Sequence, residues 1–261
     1  MELISSRNNP KIKQARALQQ RKARQEAHQF LVEGIRHVGE AVEAGAEVEA
    51  IYYAPELLKS DFALQLVSRQ AERGKPCYAT SPEVFTSLAE KDNPQGILAV
   101  VRQPERRLAE LNPGNFSWGV ALVAPQDPGN LGAILRTVDA VGASGLLLIE
   151  SSVDIYHPAA VRASMGALFW YPVIQTTFTE FRVWAADKSY HVYGSSAHAG
   201  TDYLQARPYQ KPRILLLGSE REGLTPEQQS ACESMARLPM CGHATSLNLA
   251  VAAGILLYAM L

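Results

Sequence analysis

The sequence predicts an α/β protein of two domains built on largely parallel sheets. Three observations carry this. Short apolar runs alternate with helical segments twice along the chain, the pattern of strand–helix–strand units. Runs such as ILLL, residues 214–217, are apolar without interruption, as strands covered on both faces are. Residues 102–116, RQPERRLAELNPGNF, break the alternation with charges, two prolines and a glycine. The expected division is 1–103 as one domain, 104–116 as a linker and 117–261 as a second domain. With 261 residues, 47% of them hydrophobic, the chain can bury a sizeable core.

In the first domain, Asn9 before Pro10 reads as a helix cap with proline at the first helical position. Ile12, Ala15 and Leu18 then recur at helical spacing, leaving the basic residues mainly on the other faces. FLVEG, from Phe30, is a strand, and residues 35–44 are a helix closed by Gly45. VEAIYYA (48–54) is a strand, and 61–73 a helix with Gly74 at its end. PCYAT (76–80) is a strand, SPEVFTSLAE (81–90) a capped helix and GILAVV (96–101) a strand. In the second domain WGVALVAP (118–125) is a strand, 130–141 a helix and GLLLIE (145–150) a strand. YPVIQT, HVYGSS and RILLLGSE carry further strands with helices between them. From Ser246 to the end the chain is apolar on nearly every side and rich in good helix formers, with Ser246 as the expected N-cap. At about 15 residues this helix falls short of the roughly 20 that span a bilayer.

The charge balance is close to zero, 25 Lys and Arg against 26 Asp and Glu, which argues against wholesale coating of nucleic acid. The distribution is uneven. Residues 1–24 hold seven basic side chains (Arg7, Lys11, Lys13, Arg16, Arg21, Lys22, Arg24) and one acid, Glu2. A basic arm on a mildly acidic body is the expected arrangement. Cys77, Cys232 and Cys241 fit neither a disulfide framework nor a zinc site, and no signal peptide is recognisable, so a soluble cytoplasmic protein in a reducing interior is expected. The six histidines show no metal-ligand spacing, and no metal is expected. Tyr52, Tyr53, Tyr78 and Phe85 are candidates for stacking on unpaired bases, with core packing as the better expectation.

Three segments carry candidate chemistry. In residues 124–150 a strand ends, a Pro/Gly turn follows, and Asn130 begins a helix bearing Arg136, the one cation between Val120 and Ile149. Arg136 reads either as a phosphate or substrate clamp at the carboxyl ends of the strands, or as a partner of Asp139 three residues on. In residues 214–228 a buried strand runs into Gly218, Glu220 and Gly223, glycines that let a ligand approach the backbone. Neither a Walker loop nor the G-x-G-x-x-G dinucleotide fingerprint is present. In residues 237–261 a short apolar run, a loop from Cys241 to Thr245 and Ser246-Leu247-Asn248 lead into the terminal helix, where unpaired backbone N–H groups can bind an anion or ligand.

The order and spacing of these segments resemble the three motifs of the SpoU/TrmH family of RNA ribose 2′-O-methyltransferases. Asn130 with Arg136 matches the first motif, Gly218-x-Glu220-x-x-Gly223 the second, and Pro239-Met240 followed by Ser246-Leu247-Asn248 the third. RASMGA (162–167) matches the family's intermediate segment, and the resemblance runs through residues 118–261. ISSRNNPKIKQARAL, FLVEGIRHVGEAVEAG and PQGILAVV resemble the substrate-binding domain that precedes it in ribosomal-RNA members, most closely those of the antibiotic-resistance type.

The resemblance implies a C-terminal SPOUT domain with a deep trefoil knot around a parallel sheet, preceded by a smaller N-terminal α/β RNA-binding domain. It implies S-adenosylmethionine as cofactor, held by Gly218, Glu220, Gly223, Leu238, Met240, Ser246 and Leu247. It assigns catalysis of methyl transfer to a ribose 2′-OH to Asn130, Arg136, Glu220, Ser246 and Asn248. It implies a homodimer in which the first motif of one subunit contributes to the site of the other. Ribosomal RNA is the expected partner, with Arg7, Lys11, Lys13 and Arg136 as its contacts. Transfer RNA is the alternative substrate. A non-catalytic RNA-binding member of the fold and a nucleotide-dependent oxidoreductase are rival classes; the intact motif residues count against the first, and the missing dinucleotide fingerprint against the second.

Overall fold

The structure is a computed structural model that describes residues 3–90 and 93–261. The chain forms two compact units, Met1–Pro104 with Tyr156–Trp170, and Glu105–Ile155 with Tyr171–Leu261. Residues 156–170, placed by sequence in the second domain, therefore cluster with the first.

The first unit opens with α1 (Pro10–Ala17) and α2 (Arg21–Ala27). Asn9 caps α1, its Oδ1 accepting the Lys11 N–H at 2.9 Å, with Pro10 at the first position. Ile12, Ala15 and Leu18 are buried, as their spacing predicts. Arg24 departs from the expected basic arm. It is only 1% exposed, and its Nη1 donates to the carbonyls of Leu18 (2.9 Å) and Gln19 (2.8 Å), closing the break between the two helices.

There follow β1 (Gln29–Glu33), α3 (Ile35–Glu43), β2 (Val48–Tyr53), α4 (Asp61–Glu72), β3 (Cys77–Ala79), α5 (Pro82–Thr86) and β4 (Ile97–Arg102). The sheet order is β1-β4-β2-β3. β2 and β3 are parallel, but β4 runs antiparallel to both β1 and β2, so this sheet is mixed rather than largely parallel. The chain leaves β3 at Ala79 and enters β4 at Ile97, both level with Tyr53 of β2, so the connection stays at one end of the sheet and β4 runs back in the opposite sense. Tyr52 and Phe85 are buried in this unit's core with Val84, Leu88 and Leu98, the packing role expected for them.

The second unit starts, after a single 3-10 turn at Leu108–Glu110, with β5 (Trp118–Val123), α6 (Pro128–Val141) and β6 (Gly145–Ile149). The chain then supplies α7 (Pro158–Ala163) and α8 (Ala167–Trp170) to the first unit, where Arg162 Nη1 donates to Glu90 and Trp170 Nε1 to Glu40 Oε2 at 3.0 Å. It returns with β7 (Val173–Thr176), α9 (Phe178–Asp187), β8 (His191–Ser195), β9 (Thr201–Asp202), β10 (Arg213–Leu217), α10 (Pro226–Ser230), β11 (Ser234–Arg237) and α11 (Leu249–Ala259).

All seven strands of this unit are parallel, in the order β7-β6-β5-β10-β8-β11-β9. β5, β6 and β10 are buried along their whole lengths, as their unbroken apolar sequences require. One core cluster gathers Phe116, Ile149, Phe181, Trp184, Ile214 and Leu224, with Trp184 Nε1 satisfied by the Leu111 carbonyl at 3.1 Å. No described helix is long and apolar enough to cross a membrane.

Candidate active site

Strand order brings the three motifs within reach of each other. From β5 the chain winds outward through β6 to β7, whereas β10 pairs on the other side of β5, with Leu217 beside Leu122. The ends of β5 and β10 therefore flank a point where the winding direction reverses, the usual ligand crevice of an open parallel sheet. Residues leaving β5 carry the first motif and those leaving β10 the second. The third follows β11 and opens α11, which packs against α6.

The first motif is anchored by a residue the sequence reading passed over. Asp127, not Asn130, caps α6: its Oδ1 accepts the Asn130 N–H at 2.6 Å, and Pro128 takes the first helical position. Asp followed by Pro is itself a helix-start signature, so the signal was available. Asn130 thus lies inside the first turn, its backbone held and its side-chain amide aimed outward. The Nδ2 of that amide donates to Glu220 Oε1 at 3.4 Å, and its Oδ1 accepts from Asn248 Nδ2 at 2.8 Å. One residue from each motif joins a single hydrogen-bonded line.

Asn248, rather than Ser246, is the N-cap of α11. Its Oδ1 accepts from the N–H groups of Ala250 (2.9 Å) and Val251 (3.3 Å) while its Nδ2 serves Asn130. Ser246 and Leu247 lie in the exposed loop that precedes the helix.

The second motif is a tight loop. Ser219 and Gly223 form an antiparallel bridge, and Gly223 takes a left-handed φ of 67°. A Cβ on Gly218 would lie 2.1 Å from the carbonyl carbon of Gly223 and 2.4 Å from the Leu224 nitrogen, so no other residue fits there without moving backbone. Leu238 is buried, Met240 half-buried and Leu247 exposed, giving three apolar side chains along the third-motif segment.

Arg136 stands apart from the Asn130–Glu220–Asn248 line. It is exposed on α6, and no hydrogen bond or ion pair ties it to those residues among the described ones. Nor does it pair with Asp139, which instead holds the Tyr171 hydroxyl; burial first, and Asp139 next, keep that phenol above its usual range. Arg7, Lys11 and Lys13 are exposed and belong to the first unit. Among the described residues, no group of three or more His, Cys, Asp or Glu is placed to hold a metal ion.

The sequence profile of the SpoU rRNA Methylase family matches residues 117–258. The chain belongs to this family. That of the MRM3-like substrate binding domain matches residues 9–99. Among its relatives, the 23S rRNA (guanosine(2553)-2′-O)-methyltransferase RlmP of Bacillus subtilis is 32% identical, over 99% of this chain and 98% of that protein. The 23S rRNA (uridine(2479)-2′-O)-methyltransferase of Streptomyces viridochromogenes is also 32% identical, over 98% and 90%. A crystal structure of an AdoMet-bound rRNA methyltransferase from Sinorhizobium meliloti superposes with a TM-score of 0.90 at 33% identity, covering 99% of this chain and 97% of that one.

The residues present fit S-adenosylmethionine, the ligand of that family member. Gly218 lets the 218–224 loop close tightly at the end of a buried strand, and Leu238, Met240 and Leu247 supply apolar side chains along the third-motif segment. Apolar walls with a few backbone hydrogen-bonding groups suit an adenosine.

Proposed function

We propose that the protein transfers a methyl group from S-adenosylmethionine to a ribose 2′-OH of large-subunit ribosomal RNA. The observation that carries this is the line from Glu220 through Asn130 to Asn248, which gathers all three motifs at the carboxyl ends of parallel strands. Both full-length relatives named above act on 23S rRNA, and a match to the MRM3-like substrate binding domain accompanies the catalytic one.

The backbone around Gly218, Gly223, Leu238 and Leu247 holds the cofactor, with Met240 and Ser246 beside it. When bound, the cofactor supplies an electrophilic methyl group on a sulfonium that is already a good leaving group. The chain's own residues supply alignment, the larger part of the barrier left to remove. Asn130, fixed at its backbone by Asp127, presents an amide whose two ends are held by Glu220 and Asn248, and this rigid line with Ser246 orients the ribose. Arg136 grips the phosphate next to the target nucleotide and polarises the 2′-OH, whose proton passes to solvent as the methyl leaves the sulfonium and S-adenosylhomocysteine remains; guanidinium holds its protons too firmly to act as the base itself.

The working form is a homodimer. Val251 and Tyr258 of α11 are 50% and 56% exposed, and with Ile255 and Leu204 they form an apolar surface that a second copy covers. Pairing through this face brings Arg136 of one subunit to the site of the other. Arg7, Lys11 and Lys13 contact RNA phosphates, and changing all three to Ala weakens RNA binding and flattens its salt dependence by about 0.7–0.9 per contact. The setting is the cytoplasm, where ribosomal RNA is found.

Mapping 2′-O-methyl marks on 23S rRNA from cells with and without the protein tests the proposal. One mark should vanish on deletion and be restored in vitro by the purified protein with labelled cofactor. An unchanged methylation map, with no labelled methyl entering naked or ribosomal RNA, would sink it.

A further inference from the structure

Within the first unit the amino-terminal segment and β3 enclose a groove of about 460 Å³, lined by Leu3, Ser5, Ser6, Asn9, Lys11 and Tyr78 among others. That volume lies in the usual range for small-ligand sites, about 300–1,000 Å³. One aromatic ring lines it. Tyr78 is half-buried, and its ring packs on that of Tyr52, centroids 5.2 Å apart and tilted by 44°. Tyr52 is itself buried, and its hydroxyl donates to the Lys11 carbonyl at 3.1 Å, so the ring beneath Tyr78 is fixed to the first turn of α1.

The Lys11 ammonium sits 4.1 Å from the centroid of the Tyr78 ring. Both residues line the groove. An exposed ammonium is only weakly held on a tyrosine face, so a nucleobase can take its place on the ring. Lys11 stays tethered beside the ring and swings to the nearest phosphate. Ser5, Ser6 and Asn9 add polar groups to the lining; the Ser6 hydroxyl accepts the Asn8 N–H at 3.2 Å and keeps its own proton to donate. An aromatic platform, an adjacent cation and small polar neighbours are the parts that single-stranded nucleic acid needs and that a duplex, with its bases already stacked, does not use.

We infer that this groove is a binding subsite for one unstacked nucleotide of single-stranded RNA, its base on the Tyr78 ring and its phosphate on Lys11. This rests on the proposed ribosomal-RNA substrate and adds what it leaves open: the N-terminal unit recognises an extruded base as well as backbone charge.

The test uses the full-length protein, a short oligouridylate and an RNA duplex of the same length. Tyr78→Leu keeps an apolar floor against Tyr52 but removes the stacking face. It should weaken oligouridylate binding about ten-fold while leaving the duplex unaffected. Tyr78→Phe should bind like wild type, and Lys11→Ala should lower the single-strand salt slope by about 0.7. Ser5→Leu, on an exposed position, fills the groove without touching the core and should reproduce the oligouridylate loss even if Tyr78→Leu folds poorly. Wild-type oligouridylate binding by Ser5→Leu and by folded Tyr78→Leu, or equal losses on strand and duplex, overturns the subsite. Methyl transfer by the wild-type protein to ribosomal RNA is scored separately. If that transfer is absent while Tyr78→Leu still loses the oligouridylate, the proposed function fails and the subsite stands. If transfer is present and Tyr78→Leu binds normally, the subsite alone fails.

Discussion

Asn248 Nδ2 donates to Asn130 Oδ1 at 2.8 Å, a bond between residues 118 positions apart in the chain. The same Asn248 holds two N–H groups at the start of α11 through its Oδ1. One side chain thus does two separable jobs, and substitution can divide them.

Asn248→Asp keeps the acceptor that caps α11 and loses the donor to Asn130, whereas Asn248→Ala loses both. The aspartate variant should retain wild-type stability to urea, since Asp is as good an N-cap as Asn. The alanine variant should lose about 1 kcal/mol. Both should lose turnover, by about five-fold or more, because each removes a bond worth about 1 kcal/mol at the site. A fully active, stable Asn248→Asp protein would show that the bond to Asn130 has no part in the reaction.

The meeting of motifs was legible because each lies just past a strand, and in a parallel sheet all such ends share one edge. The unbroken apolar runs of β5, β6 and β10 announced that sheet. What stayed hidden depended on partners distant in sequence. The reversed direction of β4 depends on residues 80–96 staying at one end of the sheet, which shows only in the pairing of Tyr53 with both Ala79 and Ile97. Arg24 resembles its basic neighbours until the break after α1 gives it two carbonyls to hold. Residues 156–170 follow the periodicity of the second domain, and only contacts such as Arg162 with Glu90 assign them to the first unit. Asp127-Pro128 carries a local helix-start signal two residues ahead of Asn130, and the helix does begin there.

Gly218→Ala tests the second-motif loop. The added carbon would meet Gly223 backbone at 2.1 and 2.4 Å, and neither atom can rotate away as a side chain would. Relief of such a clash costs about 1–3 kcal/mol and must widen the 218–224 loop. S-adenosylhomocysteine affinity, measured calorimetrically, should fall about ten-fold or more with the far-ultraviolet dichroism unchanged. Wild-type affinity would remove this loop from the cofactor site.

Arg136 is exposed and free of ion pairs among the described residues, so Arg136→Ala should shift stability by no more than about 0.5 kcal/mol. Turnover should nonetheless disappear while S-adenosylhomocysteine binding holds. Arg136→Lys should recover little, since an ammonium cannot reproduce the two-pronged grip of guanidinium on phosphate. Near wild-type methylation by the alanine variant would show that the arginine has no role in the reaction.

Burial pushes the Tyr190 hydroxyl up to about 12, and it donates to the Phe116 carbonyl at 2.6 Å. Tyr52 is also pushed up to about 12, by burial first and by Tyr78 next. An exposed tyrosine in the unfolded chain titrates near 10. The stability tied to keeping these phenols neutral is therefore complete below about pH 10 and is lost as pH rises through about 12. Urea midpoints should fall across that window. Tyr190→Phe should show a shallower fall, and at neutral pH it should cost about 1 kcal/mol for the unpaired Phe116 carbonyl. An equal alkaline slope in the variant would mean that Tyr190 does not contribute to it.

The outer face of α11 gives the last prediction. Val251, Ile255 and Tyr258 recur at helical spacing and are exposed, although the helix is apolar nearly all round and its other side, through Ala253, Leu256 and Leu257, is buried. Leaving such a face in water forgoes about 25 cal/mol for each Å² that a partner would cover, and an isologous pairing of two α11 faces covers it twice over. Ile255→Glu places like charges opposite one another across that symmetry axis while leaving the α6 side of the helix unaltered. Sedimentation should find the wild-type protein dimeric and Ile255→Glu monomeric, and the monomer should lose methyl transfer because the partner's Arg136 is gone. A wild-type protein that sediments as a monomer and remains active would rule out the shared site.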